Sequence, residues 1–349
     1  PLKGLVMTST QAVAVYGAYG HTGRFVVAEL RRRGWTPILC GRDADKLSAF
    51  GAAYPGLELR AASAEDPAAL DRALAGAMAV INCAGPFAST AGPLIEAAMR
   101  AHIPYLDVAA EIEANIDTFE RFATRAREEG VVLVHAMAFY GGLGDLLATA
   151  AMGDWPSADE ISIAYGLDSW RPTTGTLVAG QVSRQRRDGR RLVFANGQLS
   201  YAAGAAPATD WTFPPPLGQQ PVIAEFTMAD TVTIARHMKA PEIRSYMTVA
   251  AVKDLTAPNP LTPKPSDDSG RSSQTFVVDV VVRRGSEERR AVASGRDIYA
   301  FTAPLVVEAL ARVLRGEVKT AGVFTAGEAF NARSFLAALC PEHLSLDIG

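Results

Sequence analysis

The heptapeptide Gly17-Ala18-Tyr19-Gly20-His21-Thr22-Gly23 follows one apolar run and opens an amphipathic one. Glycines so placed allow a tight turn after a strand, close backbone approach to a pyrophosphate, and close packing of the next helix. The start of that helix adds unpaired N–H groups and a positive dipole end, both suited to phosphate. The loop is therefore predicted to cradle a dinucleotide through Gly17, Tyr19, Gly20, His21, Thr22 and Gly23. The end of the next apolar run decides which one. An acid there would bind a ribose 2′-hydroxyl, whereas arginine suits a 2′-phosphate. The chain reads Leu39-Cys40-Gly41-Arg42, with Lys46 one turn further on. Gly41, Arg42 and Lys46 thus point to NADP(H); the alternative for Arg42 is a solvated surface side chain. Asp43 beside it reads as a helix cap.

Three further segments fall where ligands meet an open parallel sheet. Asn82-Cys83-Ala84-Gly85-Pro86-Phe87 offers the small residues Cys83, Ala84 and Gly85 for close backbone approach to the cofactor, with Pro86 and Phe87 walling a nicotinamide ring. Cys83 reads as a small buried residue, since no His or Asp stands in a motif that would activate it. Glu111, after Tyr105-Leu106-Asp107-Val108, is a candidate for orienting a ribose or carrying protons, or else an ordinary first-turn helix acid. Tyr140 in Phe139-Tyr140-Gly141-Gly142-Leu143-Gly144-Asp145 is a candidate proton donor, or a structural tyrosine between two domains. No Tyr is followed by Lys four positions on, and the five histidines have no metal-ligand spacing. No metal site is expected.

The elements needed to position these residues are readable in the first half. Apolar runs at Ala12–Tyr16, Thr36–Cys40, Leu57–Arg60, Ala79–Cys83, Tyr105–Val108 and Val131–His135 alternate with helical patterns at Thr22–Arg33, Asp43–Ala53, Asp66–Leu74, Thr90–Ala101 and Asn115–Glu129. Alternation of this kind implies parallel strands joined by helical crossovers. The second half has strand-like runs at Ile161–Leu167 and Tyr246–Val252. A hairpin over Thr275–Arg283 and Arg289–Ser294 turns at Gly285-Ser286. Helical patterns fall at Thr176–Arg187, Ala229–His237, Pro304–Arg315 and Ala332–Leu339. The fold class expected is α/β: a Rossmann doubly wound parallel sheet with a second α+β domain built on a largely antiparallel sheet. Residues 11–145 form the first domain and 146–303 a substrate or dimerisation domain, with 304–349 as closing helices docking near the first. Strand Thr275–Val282 is apolar on both faces, which predicts a homodimer through that sheet. Thr256–Ser273, rich in Pro, Ser and Asp, is either a lid or a plain surface loop. Arg184, Arg186, Arg187, Arg190 and Arg191 crowd a helix end at Gly189; they suit the helix dipole or, alternatively, an acidic carrier protein bearing the substrate.

With 349 residues, 48% hydrophobic and 20% charged, the chain can bury substantial cores and is not globally disordered. A net charge of −3 leaves no footprint for nucleic acid. No apolar window suits a membrane span. Three cysteines at unrelated spacings favour a reducing cytoplasm. Met7 reads as the initiator, with Pro1–Val6 a remnant of expression and no signal-peptide core.

Together, Gly17–Gly23 with Arg24, Gly41-Arg42…Lys46-Leu47 and Asn82–Phe87 resemble the saccharopine dehydrogenase-like superfamily. The branch most similar is that of trans-acting enoyl reductases. Tyr105–Glu111, Gly144-Asp145 and Ser294-Gly295-Arg296-Asp297-Ile298-Tyr299…Thr302-Ala303 extend the resemblance. It implies a Rossmann domain, an α+β domain that often dimerises, and hydride transfer from NADPH to C=N or C=C bonds. Residues that bind an amino-acid substrate in saccharopine reductases are not recognisable here. The expectation is an NADPH-dependent oxidoreductase for an activated C=C or C=N bond of a small, largely apolar substrate, or else a non-catalytic NADPH-binding sensor of the same fold.

Overall fold

A computed structural model of the chain describes residues 11–349; the reading of Pro1–Thr10, Met7 included, lies outside the described residues. The first half alternates β1 (Ala12–Tyr16), α1 (His21–Arg32), β2 (Thr36–Gly41), α2 (Ala44–Gly51), β3 (Leu59–Ala61), α3 (Pro67–Leu74), β4 (Ala79–Asn82), α4 (Phe87–Arg100), β5 (Tyr105–Asp107), α5 (Ile112–Glu128) and β6 (Val132–Val134). All are parallel neighbours in a sheet that reverses strand order between β1 and β4. That reversal opens a crevice at the carboxyl edge, where Gly17, Asn82 and Asp107 emerge. The Rossmann architecture expected from the alternation is present, with element ends shifted by a few residues.

A π-helical turn over Phe139–Leu143 leads into α6 (Gly144–Met152), and the second sheet follows. Its elements are β7 (Glu160–Leu167), α7 (Thr174–Arg186), β8 (Arg191–Ala195), β9 (Gln198–Ala202), β10 (Ala208–Thr212), β11 (Gln219–Ala224), α8 (Ala229–His237), β12 (Glu242–Thr248), α9 (Val249–Leu255), β13 (Thr275–Arg284) and β14 (Glu287–Arg296). The tail supplies α10 (Ile298–Leu314), β15 (Gly322–Phe324), α11 (Ala326–Ala329), α12 (Ala332–Ala338) and β16 (Ser345–Ile348). The sheet runs β10-β11-β12-β7-β13-β14-β16, with β8–β9 hanging from β12; only β12 and β7 pair in parallel. Ile161, Ile163, Tyr165, Phe276, Val278, Val280 and Val282 turn one face into the main core. Buried Asp145 ties the helical layer together, accepting from Gly327 N–H at 2.8 Å and pairing with His237 at 2.6 Å.

Several details depart from the sequence reading. The run Tyr246–Val252 divides: it is strand only to Thr248, and α9 begins at Val249. Thr248 makes the corner, its hydroxyl exchanging hydrogen bonds with the Leu167 backbone. The last long helix starts at Ile298, not Pro304, because Asp297 caps it through Tyr299 and Ala300 N–H. The segment 304–349 is more than closing helices, since β15 joins β6 in the first sheet and β16 joins β14 in the second. The far face of the second sheet is not bare either. Trp211, Phe213 and Leu217 fold over Ala164, Val222 and Val277, and Val281 is only 2% exposed within the single chain. Apolarity on both faces of β13 therefore has a cause inside the chain.

Candidate functional site

Gly17 leaves β1 with φ +83°, a conformation that favours glycine, and a Cβ there would lie 2.9 Å from the Ala84 Cβ. The backbone thus passes directly against the β4 loop. Gly17 and Ala18 N–H both donate to the Cys40 carbonyl, fixing the loop to the end of β2. Helix α1 then starts at His21 with no side-chain cap, so its first N–H groups face the crevice unclaimed by a side chain. Gly17, Tyr19, Gly20, His21 and Thr22 line one cavity of about 1820 Å³. Gly23 does not; a Cβ there would sit 2.1 Å from the Gly17 carbonyl oxygen, so this glycine serves helix packing.

Tyr19 lies across Gly41, where an added Cβ would meet its ring at 2.5 Å, and its hydroxyl accepts from Asp43 N–H at 3.2 Å. Asp43 caps α2 by accepting from Lys46 N–H, as expected from sequence. Arg42 and Lys46 stand exposed on the cavity lip. The ammonium of Lys46 is 3.6 Å from Asp43, whereas Arg42 makes no ion pair with any described residue. Arg24, also exposed on the lining and likewise unpaired, joins them. An anion at this end meets cations that have little else to bind.

The β4 loop is shaped by buried polar groups. Asn82 accepts from Ala84 N–H at 3.0 Å and donates to the Tyr105 hydroxyl at 3.2 Å; Thr90 donates to the Ala84 carbonyl at 2.5 Å. Cys83, Ala84, Gly85, Pro86 and Phe87 all line the cavity. Burial pushes the Cys83 thiol far up, so it stays protonated and inert. Glu111 spends both carboxylate oxygens on the start of α4, accepting from Phe87 N–H at 2.6 Å and Ala88 N–H at 3.0 Å. Burial raises its pKa while those two donors pull it down. It is an acid at a helix start, though of α4 and not of the helix that follows it in sequence.

Asp107, at the end of β5 and 1% exposed, holds the opposite wall. One carboxylate oxygen accepts from Ala136 N–H at 2.7 Å and Ala109 N–H at 3.1 Å; the other accepts from the Tyr105 hydroxyl at 2.9 Å. Its own carbonyl takes Met137 N–H at 2.8 Å. Ala136 is thereby kept at φ +56°, a conformation rare for alanine. Beyond it, Phe139 N–H donates to the Thr302 hydroxyl of α10 at 3.1 Å. Just past these two anchors the chain turns through Tyr140 and Gly141, the latter at φ +114°.

Tyr140 is 6% exposed and packs against Trp170 at 5.1 Å, Tyr165 at 5.0 Å and Phe139 at 4.9 Å between ring centroids. Its hydroxyl is buried and has no hydrogen-bond partner, and the residue lines the cavity. Burial lifts its pKa well above 10, so the phenol is neutral and its proton available. Tyr299 builds the adjoining wall, accepting from Trp170 Nε1 and Thr173 N–H, each at 3.3 Å. The ring of His21 meets Tyr299 edge-on at 5.3 Å, and its buried Nε2 has no partner. Trp170 and the anchoring roles of Asp107 and Thr302 escaped sequence reading. Asp107 carried a signal, a carboxylate at the end of an apolar strand. Trp170 carried none beyond its type.

The arginine cluster near Gly189 is mostly spoken for. Arg186 pairs with Asp117, Arg187 with Glu113 and Arg191 with Glu225; Arg190 nears Asp188 and lies over Tyr201. Among the described residues no three His, Cys, Asp or Glu side chains cluster as metal ligands. No helix of the described residues is long and apolar enough to cross a membrane.

Fold and cavity together define a Rossmann dinucleotide-binding domain joined to a mixed-sheet domain. Comparison agrees with this. A family described as NAD(P)H-binding matches residues 17–134. A probable mitochondrial saccharopine dehydrogenase-like oxidoreductase of Arabidopsis thaliana is 30% identical over 142 residues, covering 36% of this chain and 31% of that protein. A saccharopine dehydrogenase-like oxidoreductase of Bos taurus is 26% identical over 145 residues, covering 36% and 34%. The matched region thus spans about a third of these relatives. Apo saccharopine dehydrogenase (L-Glu forming) from Saccharomyces cerevisiae superposes with a TM-score of 0.66 at 11% identity, covering 97% of this chain and 99% of that one. The likeness to it is one of fold.

The Asp107 anchor is testable through pH. Burial raises its pKa to about 6, against the donors that favour ionisation. A carboxyl raised in the folded state contributes most stability below its unfolded pKa near 4 and loses it as pH climbs through 6. Asp107→Asn keeps an acceptor for Ala136 and Ala109 but leaves the Tyr105 proton without one, costing about 1–3 kcal/mol. The wild type should be the more stable at pH 5, and the gap should narrow by pH 8. Denaturant melts at both values measure this; a gap that widens with pH would contradict it.

Proposed function

We propose that the protein is an NADPH-dependent reductase that adds a hydride and a proton across an activated C=C or C=N bond of a largely apolar substrate. One observation carries the reading: Tyr140, whose buried hydroxyl has no partner, lines the same cavity as the Gly17–Thr22 loop. A buried hydroxyl without a partner is costly unless a ligand completes it. The likeness to two saccharopine dehydrogenase-like oxidoreductases supports oxidoreductase chemistry, and the family match supports a nicotinamide cofactor.

The residues suit that cofactor. Gly17 and Gly20 admit the pyrophosphate to the uncapped start of α1, and Arg42 with Lys46 offsets a 2′-phosphate. When bound, NADPH supplies a hydride from its nicotinamide. Ala84, Gly85, Pro86 and Phe87 provide a close wall for that ring. Trp170 and Tyr165 keep water from the Tyr140 side, so the phenol meets the substrate dry and oriented. Tyr140 gives its proton to the atom that does not receive hydride, then recovers one from solvent through the cavity. Glu111 acts by holding the start of α4, which leaves the donor role to Tyr140.

Two substitutions test this reading. Arg42→Ala should weaken NADPH binding by about 1.5–3 kcal/mol, the range for a hydrogen bond to a charged group, with NADH binding unchanged. Fluorescence titration decides it, and equal affinity of the wild type for both cofactors would count against the NADP assignment. Tyr140→Phe should lower single-turnover hydride transfer by at least about tenfold, the low side of general-acid effects, with NADPH affinity intact. Labelled NADPH against a panel of enoyl thioesters and cyclic imines supplies the assay. An unchanged rate in the Phe variant removes Tyr140 as the donor.

A further inference from the structure

The cavity is larger than a cofactor requires. Its volume of about 1820 Å³ exceeds the roughly 300–1,000 Å³ of an ordinary ligand pocket, so a sizeable second molecule fits beside a dinucleotide. Its lining extends from the glycine loop to Leu177 and Arg184 of α7, Ile223 of β11 and Leu255 of α9, and this α7 end of the cavity is a second lobe. We infer that this lobe binds an elongated substrate with an apolar body and an anionic end group, the anion held by Arg184. The inference rests on the reductase reading and names the class of its substrate.

Helix α7 is the first ground. Of its 13 residues only Ser183 is buried. It is held by polar links to α5, Ser183 and Arg187 to Glu113 and Arg186 to Asp117, with no apolar seam of its own. Helices in proteins draw most of their stability from a packed apolar face, and α7 lacks one. Leu177, 39% exposed, faces the lobe instead, with Leu192, Ile223 and Leu255 lining its other sides. An apolar ligand supplies the missing contact. Leu261, adjacent in sequence to the lining residues Thr262 and Pro263, is 63% exposed.

Charge is the second ground. Of the five arginines around this helix end, Arg184 alone has no carboxylate partner among the described residues, and it lines the lobe. It lies seven residues from Leu177, two turns along the same face and about 10 Å away by helix rise. Apolar contact and free guanidinium are therefore separated along one line, the pattern of an amphipathic chain with its charge at one end. A guanidinium favours a planar, bidentate anion.

The test is calorimetric and needs no turnover. The full chain, saturated with NADPH, is titrated with N-octanoylglycine, its neutral amide N-octanoylglycinamide, and octyl phosphate. The acid should bind at least about tenfold tighter than the amide, the scale of one charge-assisted hydrogen bond. Arg184→Gln should erase that preference and leave NADPH affinity unchanged. Leu177→Asp should weaken acid and amide alike. Octyl phosphate tells a phosphate end group from a carboxylate. Equal binding of acid and amide by the wild type, or a preference that survives Arg184→Gln, overturns the inference. A separate NADPH titration keeps the two readings apart: lost probe binding with intact NADPH binding sinks this inference alone, and absent NADPH binding sinks the reductase reading.

Discussion

Asp107 is a buried carboxylate with three protein donors and no cation beside it. Leaving those donors unpaired would cost about 1–3 kcal/mol each, so the carboxylate keeps its place even though burial opposes its charge. Its reach is wide. Through Tyr105 and Asn82 it is linked to the loop that walls the cavity on one side, and through Ala136 it bends the chain toward Tyr140 on the other. The same carboxylate thus ties the β4 loop to the segment that leads into Tyr140. A shift of one wall is transmitted to the other through hydrogen bonds of 2.7–3.2 Å.

Around this centre the cavity is graded in chemistry. At one end Arg24, Arg42 and Lys46 stand exposed above a glycine turn and an uncapped helix start. In the middle, small residues meet an aromatic wall of Tyr140, Trp170 and Tyr299. Beyond lies the lobe under α7, where Leu177, Leu192, Ile223 and Leu255 stand among polar side chains and arginines. Each stretch comes from a different element, and the switch in strand order between β1 and β4 brings the first two together.

What the sequence discloses follows from how local each signal is. The glycine loop, Arg42 after β2 and the alternation of strands and helices are patterns within a few dozen residues, so they read directly. The cap at Asp43 was local too. Contacts made across the chain were not readable. Glu111 immediately precedes α5 yet its side chain bonds to the start of α4, and Phe139 is held by Thr302, 163 residues away. The tail misled because β15 and β16 are three and four residues long, too short for a period to emerge. The β8–β9 hairpin did carry a local signal, Asn196-Gly197 with both residues at positive φ, obscured by the arginine run before it.

The central claim is that one cavity brings a dinucleotide and the Tyr140 hydroxyl to the same reaction. A crystal structure of the chain with NADPH tests it most directly. The account requires the pyrophosphate at Gly17–Thr22, the 2′-phosphate near Arg42, and the nicotinamide between the Ala84–Phe87 wall and the open space beside Tyr140. Nicotinamide lodged elsewhere, or a Tyr140 hydroxyl sealed off from it by protein, would contradict the account.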